Sequence, residues 1–347
     1  MPEKPSSPRS PVLGAAIIAL VVIGGGAAFA YTGGWLSPGR LTPQKIVAAL
    51  TPPNVDPSGH RRNHAKGICF TGRFEANGGG AALSKAAVLA SGTYPALGRL
   101  NLGTPDPNAL DATVRVRGLG LRLTAPSGEE WRMAMIDPPF FPVSTPQAFY
   151  DLLKASGDKD PNAMASFAAA HPEIAAFGGW AKSAPYTPSY AENAFNSLNA
   201  FIFTDSKGGD HAVRWSFVPT APVTAISDEE LKGRGADSLE KEITDRVVAG
   251  PVSWKLMVTV ANAGDRTNDP SKPWPEDRQK IDAGTLVIEK IIPEANGPCR
   301  DVNFDPTVLP AGVKVSDDPF PAARSAAYAV SFDKRMGESQ SYPKETK

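Results

Sequence analysis

The recurrence of apolar residues at every second position in two distant segments most constrains the fold of this chain. Every second residue is apolar in residues 213–217 and again in residues 254–260. Such alternation is typical of strands that bury one face, and these strands usually pair in antiparallel sheets. Shorter β-rich runs occur at 131–135, 199–204 and 285–292. The number of strands favours an antiparallel β-barrel, and helical segments inserted between them make the predicted fold class α+β.

A further strand is predicted at residues 112–123, where the apolar face changes. Val114 and Val116 share one face, whereas the three leucines that follow share the other. A slip of one residue moves side chains to the opposite face, and a glycine-containing β-bulge is the ordinary cause. We therefore expect a bulge at Arg117-Gly118.

Helix signals lie between the strands and at the C-terminal end. Pro146 stands at the favoured first helical position after Thr145. Ser227 and Glu230 have the spacing of a capping box. The predicted helical segments are 41–50, 145–153, 162–170, 227–247 and a last helix that follows Pro321.

An uncharged apolar segment stands near the N-terminus. Residues 12–31 match the roughly 20 residues that cross a bilayer as a helix. Lys4 and Arg9 precede them, so an anchor would keep residues 1–11 in the cytoplasm and place the domain outside, at the periplasmic face of a bacterium. A cleaved signal sequence is the alternative, because Ala28-Phe29-Ala30 has the form of a cleavage site. The segment exceeds the usual signal core of about 7–15 residues, which favours the anchor.

The rest of the chain is expected to form one domain. Residues 32–40 are predicted to be a linker, residues 41–335 the domain, and the polar residues 336–347 a disordered tail. Lys plus Arg equals Asp plus Glu, 36 against 36, so the charge gives no sign of a nucleic-acid partner. Cys69 and Cys299 allow one disulfide outside the cytoplasm without requiring it. Nothing in the sequence indicates an oligomeric state.

Two short segments at opposite ends of the predicted domain contain residues suited to catalysis or ligand binding. One is the string R-R-N-H-A-K-G that contains His64, and the other is R-S-A-A-Y, from Arg324 to Tyr328. Residues four apart in a helix project from the same face, so Arg324 and Tyr328 should be neighbours. A nearby guanidinium favours the phenolate form of a tyrosine. An imidazole suits general acid–base work near neutral pH.

Together these segments resemble the two faces of the haem site in the catalase family, and the chain looks like a small, membrane-anchored catalase-related peroxidase. The resemblance covers roughly residues 41–336. It implies an α+β fold with an antiparallel β-barrel of the haem-catalase type and with inserted and C-terminal helices. It also implies haem b with Tyr328 as the iron ligand. His64 would be the catalytic residue that moves a proton between the two peroxide oxygens. Because the chain has no C-x-x-C motif, the haem would be held without a covalent bond.

The resemblance extends to further haem-binding residues. Arg61, Arg99 and Arg335 match the arginines that bind the haem propionates in the family. Phe149 lies near the position of a phenylalanine that stacks on the haem, and Arg324 supports the tyrosine. Three guanidiniums can bind two carboxylates bidentately, which makes this set chemically sound.

Three positions depart from the family pattern. Met135 stands where the family places an asparagine near the distal histidine, Asn101 where a serine contacts that histidine, and Asn199 where a histidine is usual. A thioether cannot donate a hydrogen bond to peroxide. We therefore expect a peroxidase that reduces hydrogen peroxide or organic hydroperoxides with a small organic electron donor, and low catalase activity.

Three other functions stay open at this point. The scaffold also suits a hydroperoxide-rearranging enzyme of the allene oxide synthase kind. A non-enzymatic haem carrier would need Tyr328 but would have no use for His64. An anchored β-barrel that binds a lipophilic molecule would need neither residue.

Overall fold

The computed structural model describes residues 11–37 and 39–338. Within these ranges, ten strands form one sheet in which neighbouring strands are antiparallel. The strands are β1 Gly67–Ala76, β2 Gly92–Leu102, β3 Arg117–Thr124, β4 Glu130–Ile136, β5 Phe195–Asn196, β6 Phe201–Thr204, β7 Asp210–Pro219, β8 Val252–Val260, β9 Lys280–Ile292 and β10 Val313–Val315.

Eight of these strands close a barrel. The ring runs β1, β2, β3, β4, β5, β7, β8 and β9, and it closes because β9 also pairs with β1. β6 pairs with the first half of β7 beside β5, and β10 pairs with β6. The predicted antiparallel barrel and the α+β class are therefore confirmed.

Large aromatic side chains fill the barrel. Trp131 and Trp215 meet edge to face with ring centroids 5.0 Å apart, and Phe203 lies 5.9 Å from Trp131. Trp254 is fully buried and donates a hydrogen bond from Nε1 to the Asn193 carbonyl at 2.9 Å. The alternating residues of β7 and β8 supply much of this core, as their sequence pattern predicts.

Eight α-helices lie within the described ranges. They are α1 Pro11–Thr32, α2 Pro43–Ala49, α3 Pro146–Ser156, α4 Ala163–Ala170, α5 Ile174–Ser183, α6 Asp228–Lys232, α7 Ser238–Ala249 and α8 Phe320–Gly337. Thr42 and Thr145 cap α2 and α3 by accepting hydrogen bonds from backbone N–H groups three residues later. The capping box of Ser227 and Glu230 is complete. The predicted helix starts are therefore confirmed.

The predicted bulge at Arg117-Gly118 is wrong. β3 begins at Arg117 and pairs without a register shift with both β2 and β4. Residues 111–113 form a single 3₁₀ turn, because the Asp111 carboxylate accepts a hydrogen bond from the Leu239 N–H at 2.8 Å and pairs with Lys66. Val114 and Val116 therefore precede the strand, and the change of apolar face marks its beginning.

The N-terminal helix α1 is long and apolar enough to cross a membrane, by length and composition. A membrane anchor and a signal sequence share these properties. Two contacts hold described residues of the connection to α2 against α1: Arg40 donates to the Tyr31 carbonyl at 3.0 Å, and Trp35 packs edge to face on Phe29. Residues 1–10 of the predicted cytoplasmic tail lie outside the part of the chain that the structure describes.

The C-terminal helix extends beyond the predicted end of the domain. α8 continues to Gly337, so the first residues of the predicted disordered tail are helical. The reason is an ion pair between Arg62 and the Glu338 carboxylate, which also accepts a hydrogen bond from the Gly59 N–H at 3.1 Å. Residues 339–347 lie outside the described part of the chain.

Close packing inside the barrel leads to a stability prediction. A Cβ atom at Gly98 would lie 2.1 Å from Cζ of Phe70 and 2.6 Å from the Gly120 carbonyl oxygen. We expect Gly98→Ala to lower the free energy of unfolding by about 1–3 kcal/mol, because overpacking forces the core to shift. Urea unfolding of the detergent-solubilised full chain measures this change.

The matched control is Gly179→Ala in helix α5, where an added Cβ meets no atom within 4 Å. This change should raise the free energy of unfolding by up to about 1 kcal/mol, since alanine has the higher helix propensity. Equal stability of Gly98→Ala and the unchanged protein would contradict the described packing.

Candidate active site

A cavity of about 1440 Å³, open mouth included, lies between the barrel and helices α2, α3 and α8. All seven residues that the sequence proposes for the site line this one cavity. They are Arg61, His64, Arg99, Phe149, Arg324, Tyr328 and Arg335. The barrel thus brings together residues from opposite ends of the chain.

His64 is held by Asn101 on β2. Its Nδ1 atom lies 2.5 Å from Oδ1 of Asn101, whose Nδ2 donates to the Arg99 carbonyl at 3.1 Å. That second bond fixes the orientation of the amide, so the oxygen faces the histidine. Nδ1 of His64 therefore carries the hydrogen, and Nε2 keeps a lone pair that can accept a proton.

Two glycines make room for this arrangement. A Cβ at Gly118 on β3 would lie 2.3 Å from Oδ1 of Asn101 and 3.1 Å from Nδ1 of His64. A Cβ at Gly67, which ends the H-A-K-G string, would lie 2.6 Å from Cζ of Arg99. Side chains at either position would displace the functional groups beside them.

His64 is neutral at neutral pH. Burial lowers the pKa of its imidazole to about 4, and the positive charges of Arg99 and Arg324 act in the same direction. The hydrogen bond that the imidazole donates to Oδ1 of Asn101 raises the pKa, but burial outweighs it. The imidazole can therefore act as a proton acceptor across the whole physiological range.

Apolar side chains form much of the remaining wall. Met135 on β4 is buried and lines the same cavity as His64. Ile46 and Val47 from α2 also line it, together with Leu50 directly after the helix. The sequence predicts a helix at residues 41–50, but no local pattern shows which surface its apolar face covers.

Phe149 on α3 belongs to an aromatic group beside the cavity. Its ring centroid lies 5.2 Å from that of Phe141, which in turn lies 4.9 Å from that of Phe320. Phe141 and Phe320 also line the cavity. The aromatic wall is thus shared between helices α3 and α8 and the segment that precedes α3.

Arg324 on α8 is fixed by contacts to the barrel side. It donates from Nη1 to Oδ1 of Asn199 and from Nη2 to the Ala134 carbonyl, both at 2.7 Å. Asn199 in turn donates to the Asp318 carboxylate at 2.8 Å. Cζ of Arg324 lies 5.9 Å from the ring centroid of Tyr328, as expected for residues one helical turn apart. The guanidinium therefore keeps a fixed position next to the phenol.

Arg61 and Arg99 converge on a carboxylate that sequence reasoning missed. Arg99 donates to both oxygens of Glu294, from Nε at 2.8 Å and from Nη2 at 2.6 Å, and Arg61 pairs with the same group. Burial alone would raise the pKa of Glu294, but the charges of Arg99 and Arg61 lower it overall. Glu294 is therefore ionised. Arg335 is buried nearby, and its charge also lowers the pKa of Glu294.

A disulfide joins Cys69 on β1 to Cys299, with Cα atoms 5.4 Å apart. The bond that the two cysteines allow is therefore formed. Phe304 packs against it in a small cluster that Tyr328 also contacts. The disulfide thus supports the wall of the cavity near the tyrosine.

Comparison with known proteins agrees with this geometry. The family model described as Catalase matches residues 55–342. This chain belongs to the catalase family. It is 32% identical to a catalase-related peroxidase of Synechococcus elongatus over 301 residues, which are 85% of this chain and 89% of that protein. A catalase-related peroxidase of Mycolicibacterium paratuberculosis is also 32% identical, over 86% of this chain and 96% of that protein.

Solved catalase structures share the fold. A bacterial catalase superposes with a TM-score of 0.70 at 20% identity and covers 85% of this chain. A fungal catalase superposes with a TM-score of 0.72 at 18% identity and covers 82%. This catalase-family chain spans 61% of each of those two chains.

The residues that line the cavity fit a haem, which catalase-family proteins bind. Arg61, Arg99, Arg335 and Glu294 together carry a net charge of +2 (three positive charges minus one), which equals the charge that two propionates would neutralise. Ala323 and Ala327, one turn apart on α8, present small side chains to the cavity beside Tyr328. A flat ring could approach the helix closely there.

The pKa of the His64 imidazole can be measured directly. We expect the imidazole to titrate with a midpoint near pH 4 in the haem-free protein, because burial disfavours the charged form. Asn101→Ala should lower this midpoint further, since the lost hydrogen bond favours the protonated ring. Nitrogen-15 NMR of the labelled histidines reports both values. A midpoint near the ordinary value of about 6.5 would contradict the described environment.

Proposed function

We propose that this catalase-family chain is a haem peroxidase that reduces hydrogen peroxide or organic hydroperoxides with a small organic electron donor. The observation that carries the proposal is a single cavity that holds a neutral histidine and an arginine–tyrosine pair. The names of its relatives support the peroxidase assignment. A haem carrier would require no oriented base in the cavity.

The residues of the cavity would divide the work of holding haem b. Tyr328 would bind the iron through its phenolate oxygen, and Arg324 would favour that charged form. Arg61, Arg99 and Arg335 would bind the propionates, and Phe149 would lie against the ring. A bound haem would supply the redox chemistry that links the peroxide to the electron donor.

His64 would handle the protons. Its Nε2 atom would accept the proton of the hydroperoxide and return it to the oxygen that leaves as water or alcohol. The full reaction consumes two electrons and two protons per peroxide, and the organic donor supplies the electrons. Asn101 keeps Nε2 in the accepting state by holding the hydrogen on Nδ1.

Met135 supports a preference for peroxidase over catalase turnover. Catalase turnover requires a second hydrogen peroxide molecule to be oriented as the reductant. The Met135 sulfur accepts hydrogen bonds weakly and donates none, so this part of the wall cannot orient such a molecule as an amide would. The apolar wall instead suits an organic peroxide or donor.

We also propose that α1 is retained as a membrane anchor with the domain outside the cytoplasm. The basic residues Lys4 and Arg9 precede the apolar segment, which is the usual arrangement for an N-terminus that stays inside. The Cys69–Cys299 disulfide supports an oxidising compartment.

Replacement of His64 tests the proposed peroxidase function. We expect His64→Ala to lower the rate of peroxide-dependent donor oxidation by about 10²–10⁴-fold, while haem content stays unchanged, because general acid–base catalysis is lost. Stopped-flow spectroscopy of the haem-loaded protein measures the rate. His211→Ala is the control, since His211 lies on β7, contacts the Asp205 carboxylate and does not line the cavity.

Two outcomes would contradict the proposal. Unchanged turnover in His64→Ala would favour a carrier. Consumption of an organic hydroperoxide without oxidation of any donor would favour a rearrangement of the allene oxide synthase kind.

A further inference from the structure

Glu294 is a buried carboxylate at the place where an anionic ligand is expected. It stands directly after β9, in a single 3₁₀ turn that spans Glu294–Asn296. Its two oxygens bind Arg99 bidentately, and Arg61 shares one of them. Two of the three arginines proposed for the propionates are therefore already joined by one protein carboxylate.

The remaining bonds of the two guanidiniums go to backbone carbonyls. Arg61 donates from Nη2 to the carbonyls of Val302 and Cys299, at 2.9 and 3.0 Å. Arg99 donates from Nη1 to the His64 carbonyl at 3.1 Å and from Nη2 to the Ala65 carbonyl at 2.9 Å. Each guanidinium plane is thus fixed from several sides, while the Nη1 group of each keeps a second N–H for a ligand.

The segment that carries Glu294 is itself held in place. The disulfide links Cys299 to Cys69, which lies directly opposite Arg99 in the pairing of β1 with β2. A Cβ at Gly297 would lie 2.3 Å from Sγ of Cys69, so the turn rests directly on the disulfide. Glu294 therefore approaches the arginines from a rigid support.

The charges also fit. Three arginines without Glu294 would place three positive charges around a group with two carboxylates. Uncompensated buried charge is costly, so the excess would oppose folding of the empty site and would remain after binding. With Glu294 the site is neutral once a dianion is bound.

We propose that Glu294 is a positioning residue for the propionate-binding arginines: it fixes the planes of Arg61 and Arg99 and matches the charge of the site to a dianion. This inference rests on the proposed haem function. It assigns Glu294 no contact with the peroxide or with the iron.

The test compares release of haem b with release of its dimethyl ester, which lacks the propionate charges. We expect Glu294→Gln to release haem b at least about tenfold faster than the unchanged protein, because a charge-assisted bidentate bond is lost. Release of the dimethyl ester should change less than twofold. Transfer to apomyoglobin, followed by absorption in the Soret region, gives both rates for the full chain.

Two further variants complete the test: a control and a variant that conserves the charge. Glu289→Gln is the matched control, since Glu289 lies near the end of the same strand and pairs with Arg73 at the surface; its release rates should equal those of the unchanged protein. Glu294→Asp keeps the charge but shortens the side chain. It should accelerate release of haem b selectively, and it replaces Glu294→Gln if that variant does not fold.

The outcomes separate the two proposals. Equal acceleration for haem b and its ester would show a general structural role and would overturn the assignment of Glu294. Unchanged release of haem b from Glu294→Gln would also overturn the assignment of Glu294, but it would leave the proposed haem function intact. An unchanged protein that binds no haem would overturn the proposed function and this inference together.

Discussion

The structure of the site depends on the burial of like charges at one end of the cavity. Arg99 is almost fully buried, and Arg335 lies nearby at 3% exposure. Isolated buried charges are strongly destabilising, so each must be compensated by a partner or a ligand. Glu294 compensates one charge, and the backbone carbonyls of the H-A-K-G segment and of the segment after β9 supply further acceptors. The bonds from Arg99 also hold the H-A-K-G segment against the barrel.

This constraint links the two faces of the cavity. The bonds from Arg99 to the carbonyls of His64 and Ala65 fix the backbone that carries the catalytic candidate. Asn101, two residues after Arg99, then sets the tautomer of His64. On the other face, Asn199 and the Ala134 carbonyl fix Arg324 beside Tyr328. The groups proposed for charge recognition and for proton transfer are therefore held by one framework built on β2, β4 and α8.

Local signals in the sequence predicted much of this arrangement. Alternation marked β7 and β8, and capping residues marked the helix starts. The residues Arg61, Arg99, Phe149 and Arg335 came instead from the resemblance to the catalase family. Glu294 escaped prediction because its contact with Arg99 joins residues 195 positions apart, and a single carboxylate after a strand carries no local pattern. The wall formed by α2 was missed for the same reason. The strand start at Arg117 was misread because the contacts of Asp111 with α7 and Lys66, which fix the preceding turn, are tertiary.

The most direct test of haem ligation by Tyr328 is the absorption spectrum of the purified full chain with added haem, recorded for the unchanged protein and for Tyr328→Phe. We expect a high-spin ferric Soret band for the unchanged protein and a shifted or absent band for the variant, because the phenolate ligand is lost. Tyr150→Phe on α3, which does not line the cavity, should leave the band unchanged. Identical spectra for the unchanged protein and Tyr328→Phe, or a protein that stays colourless, would contradict ligation of haem by Tyr328.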